Sequence, residues 1–252
     1  MRENPVRRLW AEGESALCGW CSIGNSLTAE LMAHQGFDAI CVDRQHGMID
    51  FSDALGMVQA ISTTPAAPFT RAPWNDPAAI MALLDAGAYG VICPMVNTAA
   101  ECQAFVGACR FPPLGYRSLG PTRANIYAGP DYVAHANTTI VTLAMVETRE
   151  ALTNVDAIAR TPGLDGIFIG PADLALSLGA TPSVEPKGAV AEAIDEIFAR
   201  ATAAGVKCAI FTASGQMARH WFDKGFHMVA LGGDVRFLTS AASAEIKLAR
   251  GR

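Results

Sequence analysis

The sequence predicts a single (β/α)₈ barrel. Three observations predict it: eight short apolar runs rich in β-branched residues, helical periodicity between them, and a length near the roughly 250 residues typical of such barrels. The runs are Ala16 to Ser22, Ala39 to Asp43, Pro68 to Arg71, Gly90 to Pro94, Ile140 to Val146, Gly166 to Ile169, Cys208 to Phe211 and Met228 to Leu231. A doubly wound open sheet shows the same alternation, and the count of eight is what favours closure. Residues 1–252 are read as one domain, since a chain with 51% hydrophobic residues can bury one large core.

The helical stretches are Asn25 to Gln35, Pro77 to Ala86, Ala99 to Cys109, Glu150 to Ala159, Val190 to Ala204 and Ser214 to Lys224, several of them following a cap candidate. Gly36, Gly87, Gly205 and Gly225 stand where helices should end with positive φ. One long stretch, Phe111 to Asn137, breaks the rhythm with prolines and glycines. It is read as a lid or a subunit-contact excursion after the fourth βα unit, because long loops in compact domains are usually functional.

The net charge of −5, with Lys and Arg scattered, gives no footprint for a nucleic-acid backbone or an anionic membrane. The N-terminus lacks the apolar core of a secretory signal, and no run reaches the roughly 20 residues that span a bilayer, so a cytoplasmic protein is expected. Seven cysteines in apolar segments fit reduced, buried thiols. Cys18 and Cys21 have redox-motif spacing, but they lie in a strand, where residues three apart face opposite sides.

In a parallel barrel the chemistry sits where strands end, and the polar residues there form a list. The second strand ends in Asp43, followed by Arg44, Gln45 and His46; the third ends in Arg71; the fifth in Glu147; the sixth runs into Gly170-Pro171-Ala172-Asp173. Such residues are costly at buried strand ends unless they pair, coordinate or catalyse. Glu147 and Asp173 come from neighbouring strands and offer hard oxygen ligands for Mg²⁺ or Mn²⁺. Equally open is a structural role, with Glu147 paired to Arg149 and Asp173 capping the helix Ala172 to Leu178.

The Gly170-Pro171 turn into a helix presents free N–H groups suited to an anion, and beside a cation this suggests an α-keto acid. Arg71 is placed to stabilise an enolate, and His46, titratable near neutrality, to move a proton. His135, His220 and His227 lack such placement and are read as structural.

At these residues the sequence resembles the HpcH/HpaI family of class II pyruvate aldolases, which includes 4-hydroxy-2-oxoheptanedioate and 2-keto-3-deoxy sugar-acid aldolases. The segments that carry the resemblance are VDRQHG (42–47), TRAP (70–73), LLDAGAYGVICPMV (83–96), FPPLGYRSLGP (111–121), VETREALTNVDAI (146–158), LDGIFIGPADLALSLG (164–179) and VALGGDVRFL (229–238). The resemblance implies a metal-dependent aldol cleavage giving pyruvate, or a related acid such as hydroxypyruvate, and an aldehyde. It assigns the metal, Mg²⁺ or Mn²⁺ with Co²⁺ a further candidate, to Glu147 and Asp173. It assigns the substrate to Arg71 and to Gly170, Pro171, Ala172 and Asp173, the base to His46 and the tuning of that histidine to Asp85. It implies a homo-oligomer, trimer or hexamer.

Asp85 precedes the fourth strand and belongs at the opposite rim of its own barrel, so either it serves a neighbouring subunit or it is a helix-end residue. Gln45 replaces the acidic residue common in the family, and Met145 replaces a glutamine. Met145 cannot donate a hydrogen bond to a substrate oxygen, so both bear on rate or substrate choice. Alternative functions are an oxaloacetate-type decarboxylase, which needs no proton-accepting His46, and a non-catalytic metabolite-binding protein. A Schiff-base route lacks a lysine, since Lys207 alone lies near a strand and at its wrong end.

Overall fold

The computed structural model describes residues 1–251 and closes eight parallel strands into a barrel in the order β1 to β8. The strands are β1 (Ala16–Cys21), β2 (Ala39–Asp43), β3 (Ala67–Arg71), β4 (Gly90–Cys93), β5 (Val141–Val146), β6 (Gly166–Ile169), β7 (Lys207–Thr212) and β8 (Met228–Leu231). Each lies within a residue or so of its predicted run. They are buried on both faces, which is why they read as continuous apolar runs rather than as alternating ones.

The helices are α1 (Pro5–Ala11), α2 (Ser26–Ala33), α3 (Phe51–Ile61), α4 (Pro77–Asp85), α5 (Ala99–Cys109), α6 (Thr122–Ala128), α7 (Tyr132–Thr139), α8 (Arg149–Thr153), α9 (Val155–Ala159), α10 (Pro171–Ser177), α11 (Ala189–Ala203), α12 (Gly215–Asp223) and α13 (Asp234–Ala249). The predicted helix over 150–159 is two short ones, α8 and α9, broken at Asn154. Among the helices that sequence periodicity did not predict, α3 starts with a reciprocal cap, Asp50 accepting from Asp53 N–H and Asp53 from Asp50 N–H. The four glycines predicted to end helices all have positive φ, from +81° to +101°.

The long excursion does not cover the site of its own chain. It follows α5 and precedes β5, so it is an αβ connection and lies at the N-terminal end of the barrel. There it forms α6 and α7 and packs with the chain's start: Met1 amine pairs with Asp131 at 2.6 Å, Arg2 N–H donates to Ala128 carbonyl, and Tyr127 meets Tyr89 edge to face. Helix α1 lies at the same end, with Trp10 Nε1 donating to His227 carbonyl and Arg7 bonded to Asp165 and the Thr139 carbonyl. The barrel is thereby plugged at one end and open at the other.

All seven cysteines are buried and free. Burial pushes the Cys18 and Cys21 thiols far above their ordinary range, which removes the thiolate that redox chemistry requires. Among the described residues, no helix is long and apolar enough to cross a membrane.

Candidate active site

The open end of the barrel holds a cavity of about 590 Å³. Of the predicted site residues, Asp43, His46, Arg71, Met145, Glu147, Gly170, Pro171, Ala172 and Asp173 all line it. They converge because each stands at or just beyond the C-terminal end of a parallel strand.

Glu147 follows β5, and its side chain is 1% exposed. Its Oε1 accepts a 2.8 Å hydrogen bond from the Met95 N–H. Burial pushes its pKa up to about 7, opposed by that bond and by Arg71 and reinforced by the charge on Asp173. Gly170 stands directly against the second oxygen, since a Cβ there would overlap Glu147 Oε2. Asp173 lies in the first turn of α10, exposed at the cavity mouth, and its carboxylate makes no hydrogen bond or ion pair among the described residues.

Neither an ion pair of Glu147 with Arg149 nor a side-chain cap from Asp173 is formed, although Asp173 does stand in the first turn of α10, where a negative charge suits the helix dipole. Arg149 turns away to the Leu178 carbonyl, and α10 begins at Gly170 with no side-chain cap. What remains is one carboxylate oxygen held by an amide, one released toward the cavity, and a second carboxylate with no partner. Two hard oxygen donors with open space beside them fit a divalent ion that keeps positions for water and a chelating ligand.

Arg71 ends β3 and is held by Asp43, which ends β2, through Nε to Oδ1 at 2.8 Å and Nη2 to Oδ2 at 2.6 Å. Despite burial, the Arg71 guanidinium keeps the Asp43 carboxyl below its ordinary pKa. Asp43 also accepts from the Gln45 and His46 N–H groups, so one carboxylate fixes both the arginine and the backbone that carries the histidine. The His46 side chain reaches the cavity from an exposed position.

Gln45 behaves differently from its neighbours. Its Oε1 is buried without a partner, and it is absent from the cavity wall. Met145, 2% exposed, lies beside Glu147 and lends the cavity a thioether in place of a donor. Asp85 stands at the other end of the barrel, as its place in the chain required, bonded to Arg117 Nη2 at 2.7 Å.

Three contributors were not legible in the sequence. Trp20 lies with its ring 5.0 Å from the Arg71 guanidinium carbon, donates to Asp43 Oδ2 at 3.2 Å, and forms an aromatic floor with Phe168 and Phe211. A tryptophan at the end of an inward-facing strand register was the available signal. Asp234 opens α13 and accepts from Ser22 N–H and Ile23 N–H, tying the last helix to the first strand. Met95 reaches Glu147 only through a backbone φ of +55°, and nothing in a methionine's chemistry announces that.

A closed parallel βα barrel with paired carboxylates, a clamped arginine and a histidine around one C-terminal cavity belongs to the class of barrel enzymes whose sites are built from strand ends. The chain belongs to the HpcH/HpaI aldolase/citrate lyase family, whose model matches residues 18–241. It is 47% identical over 248 residues to the hydroxypyruvate/pyruvate aldolase of Rhizorhabdus wittichii, covering 98% of this chain and 99% of that one. It is 37% identical over 228 residues, 89% and 86% of the two chains, to the 4-hydroxy-2-oxo-heptane-1,7-dioate aldolase of Salmonella arizonae. Among solved structures it is similar to an HpcH/HpaI aldolase/citrate lyase family protein from Burkholderia cenocepacia, with a TM-score of 0.91, 30% identity and coverage of 99% and 100%. It is also similar to the citrate synthase SbnG, with a TM-score of 0.88, 27% identity and 97% coverage of each chain.

Proposed function

We propose that this chain catalyses the reversible aldol cleavage of 4-hydroxy-2-keto acids to pyruvate, or hydroxypyruvate, and an aldehyde. The observation that carries the reading is the arrangement at Glu147: one oxygen fixed by the Met95 amide, the other beside Gly170 and facing the cavity shared with the unpartnered Asp173. Glu147 and Asp173 would hold a divalent ion, Mg²⁺ or Mn²⁺, which when bound supplies electrophilic activation of the keto group.

The rest of the chemistry falls to this chain's own groups. The free amides at the start of α10, around Ala172, receive the substrate carboxylate. His46 takes the proton of the C4 hydroxyl, directly or through a water, as the C3–C4 bond breaks. The C4 oxygen becomes the aldehyde carbonyl, and the bonding pair passes into C3 as the enolate of pyruvate. Arg71 uses both Nε and Nη2 on Asp43, which leaves Nη1 to donate to the enolate oxygen. Return of that proton from His46 to C3, directly or through the same water, converts the enolate to pyruvate and restores the base. Trp20, Phe168 and Phe211 line the same cavity and give it an apolar floor.

The relatives' names support the reaction class, since both are aldolases of keto acids. Pyruvate release from a 4-hydroxy-2-keto acid is measured before and after EDTA and after Mn²⁺ is restored. Turnover abolished by the chelator and recovered with the ion is expected; turnover indifferent to both removes the role given to Glu147 and Asp173.

We infer further that the chain assembles as a homo-oligomer, trimer or hexamer. Helix α13 leaves Leu238, Ile246 and Leu248 exposed on a structure whose other large apolar side chains are mostly buried. In that assembly Asp85 serves the His46 of a neighbouring subunit.

A further inference from the structure

A second cavity, of about 270 Å³, lies against the first. The two share Pro171, Ala172, Phe211 and Ala213 as lining. Strand alternation explains how they divide: Phe211 points into the barrel, where it meets Trp20 edge to face, so Thr212 points outward into the layer between β7 and α12. There the slot is walled on its inner side by Trp221 of α12 and on its outer, mostly solvent-exposed side by Pro182, Ser183, Val184 and Pro186 of the segment that links α10 to α11. The partition between slot and barrel is low because Ala172 and Ala213 carry only methyl groups.

Two features give the slot a chemistry. No charged side chain lines it. Thr212 is 4% exposed, and its Oγ1 is buried without a hydrogen-bond partner. An orphaned buried hydroxyl costs stability, and valine would fill the same volume without that cost. Thr70 Oγ1 shares the orphaned state within the sheet, but Thr212 stands on the wall of a cavity that opens beside the reacting groups.

We propose that the slot receives the tail of the aldehyde, and that this tail is uncharged, mainly hydrocarbon and ring-sized, with one oxygen that bonds Thr212 Oγ1. The proposal rests on the aldol reading above. The keto acid sits at the amides around Ala172, and the chain beyond C4 passes over the Ala172 and Ala213 methyls into the slot. A carboxylate-ended tail gains nothing from it, because no cation lines the slot to pair with the charge. This separates the present chain from the relative named for a heptane-1,7-dioate, whose substrate carries a second carboxylate.

The test is aldol addition of pyruvate, with Mn²⁺, to propanal, 3-phenylpropanal, 3-(4-hydroxyphenyl)propanal and succinic semialdehyde. The phenyl compound should exceed propanal in kcat/KM by about tenfold or more, the scale of burying such a group, and the hydroxyphenyl compound should exceed the phenyl one by roughly three- to tenfold, the scale of one hydrogen bond. Succinic semialdehyde should do no better than propanal. Thr212→Val should bring the hydroxyphenyl to phenyl ratio near one while raising Tm, a pairing that a purely structural threonine would not give. Ala213→Leu, at a half-buried position on the rim between the two cavities, should close the passage and bring the phenyl to propanal ratio near one.

Preference for succinic semialdehyde over the neutral aldehydes overturns the proposal, as does an unchanged phenyl to propanal ratio in Ala213→Leu. If no aldehyde reacts, the aldol reading fails. The slot is then decided by saturation-transfer NMR with 3-(4-hydroxyphenyl)propanal: a transfer signal that disappears in Ala213→Leu sustains it, and an equal signal from both proteins overturns it.

Discussion

Asp43 and Arg71 are paired residues of adjacent strands, in register at the ends of β2 and β3, and they meet through two parallel hydrogen bonds of 2.8 and 2.6 Å. Bidentate geometry of this kind fixes the plane of the guanidinium as well as its position. Asp43→Asn keeps the size but loses the charge and one acceptor, so Arg71 should swing from its place. We expect kcat/KM for aldol cleavage to fall by about a hundredfold, the cost of one misplaced oxyanion donor. Arg71→Lys should fall at least as far, because a lysine cannot satisfy Asp43 and a substrate oxygen from one planar fork. Steady-state kinetics on a 4-hydroxy-2-keto acid checks both.

Glu147 makes the metal-free protein's stability depend on pH. Its folded pKa of about 7 lies above the ordinary value of 4.5, so between those limits the unfolded chain ionises while the folded one holds its proton. Stability from this group is fully present below the unfolded value, declines as pH rises toward 7, and is flat above it, a total loss of up to about 3 kcal/mol. Glu147→Gln should flatten that slope and raise the metal-free Tm at pH 8. Thermal melts with EDTA between pH 5 and pH 8 measure it, and a wild-type slope of the opposite sign would refute the assignment.

Gly170 is fixed by contact rather than by conformation, since its φ of −100° suits any residue. Its missing side chain is what leaves room for Glu147 Oε2. Gly170→Ala should displace that carboxylate and weaken Mn²⁺ binding by about 10- to 100-fold, the range seen when a ligand's support is lost. Calorimetric titration reads this without reference to turnover.

His46 separates the aldolase from a decarboxylase. Removing CO₂ from oxaloacetate needs enolate stabilisation but no proton taken from a hydroxyl. His46→Ala should lower aldol cleavage by about 10²- to 10⁴-fold while oxaloacetate decarboxylation largely persists. If both activities fall together, the proton-accepting role is wrong.

Asp85 gives a test of assembly. It stands at the barrel end opposite its own chain's His46, bonded to Arg117. If it serves a neighbour's site, mixing inactive His46→Ala and Asp85→Ala chains after co-refolding should restore part of the activity, because some interfaces then carry both native residues. Light scattering that shows a monomer would remove the basis for this.

The sequence by itself determined the barrel and the rim of its site. Short, doubly buried strands leave an unmistakable trace of continuous apolar runs, and parallel topology then forces every strand-end residue onto one face. Asp43, His46, Arg71, Glu147 and Asp173 were legible for that reason. Tertiary structure alone decided which oxygen of Glu147 is tied by Met95 and which is free, that Asp43 clamps Arg71 beneath Trp20, and that the long excursion packs at the plugged end with Asp85. These depend on contacts between residues far apart in the chain, and on a left-handed backbone at a methionine. Neither leaves a periodicity or a residue-type preference along the sequence. The outward slot at Thr212 belongs with them: strand alternation gives its direction, but only the packing of α12 and the segment after α10 leaves its hydroxyl without a partner.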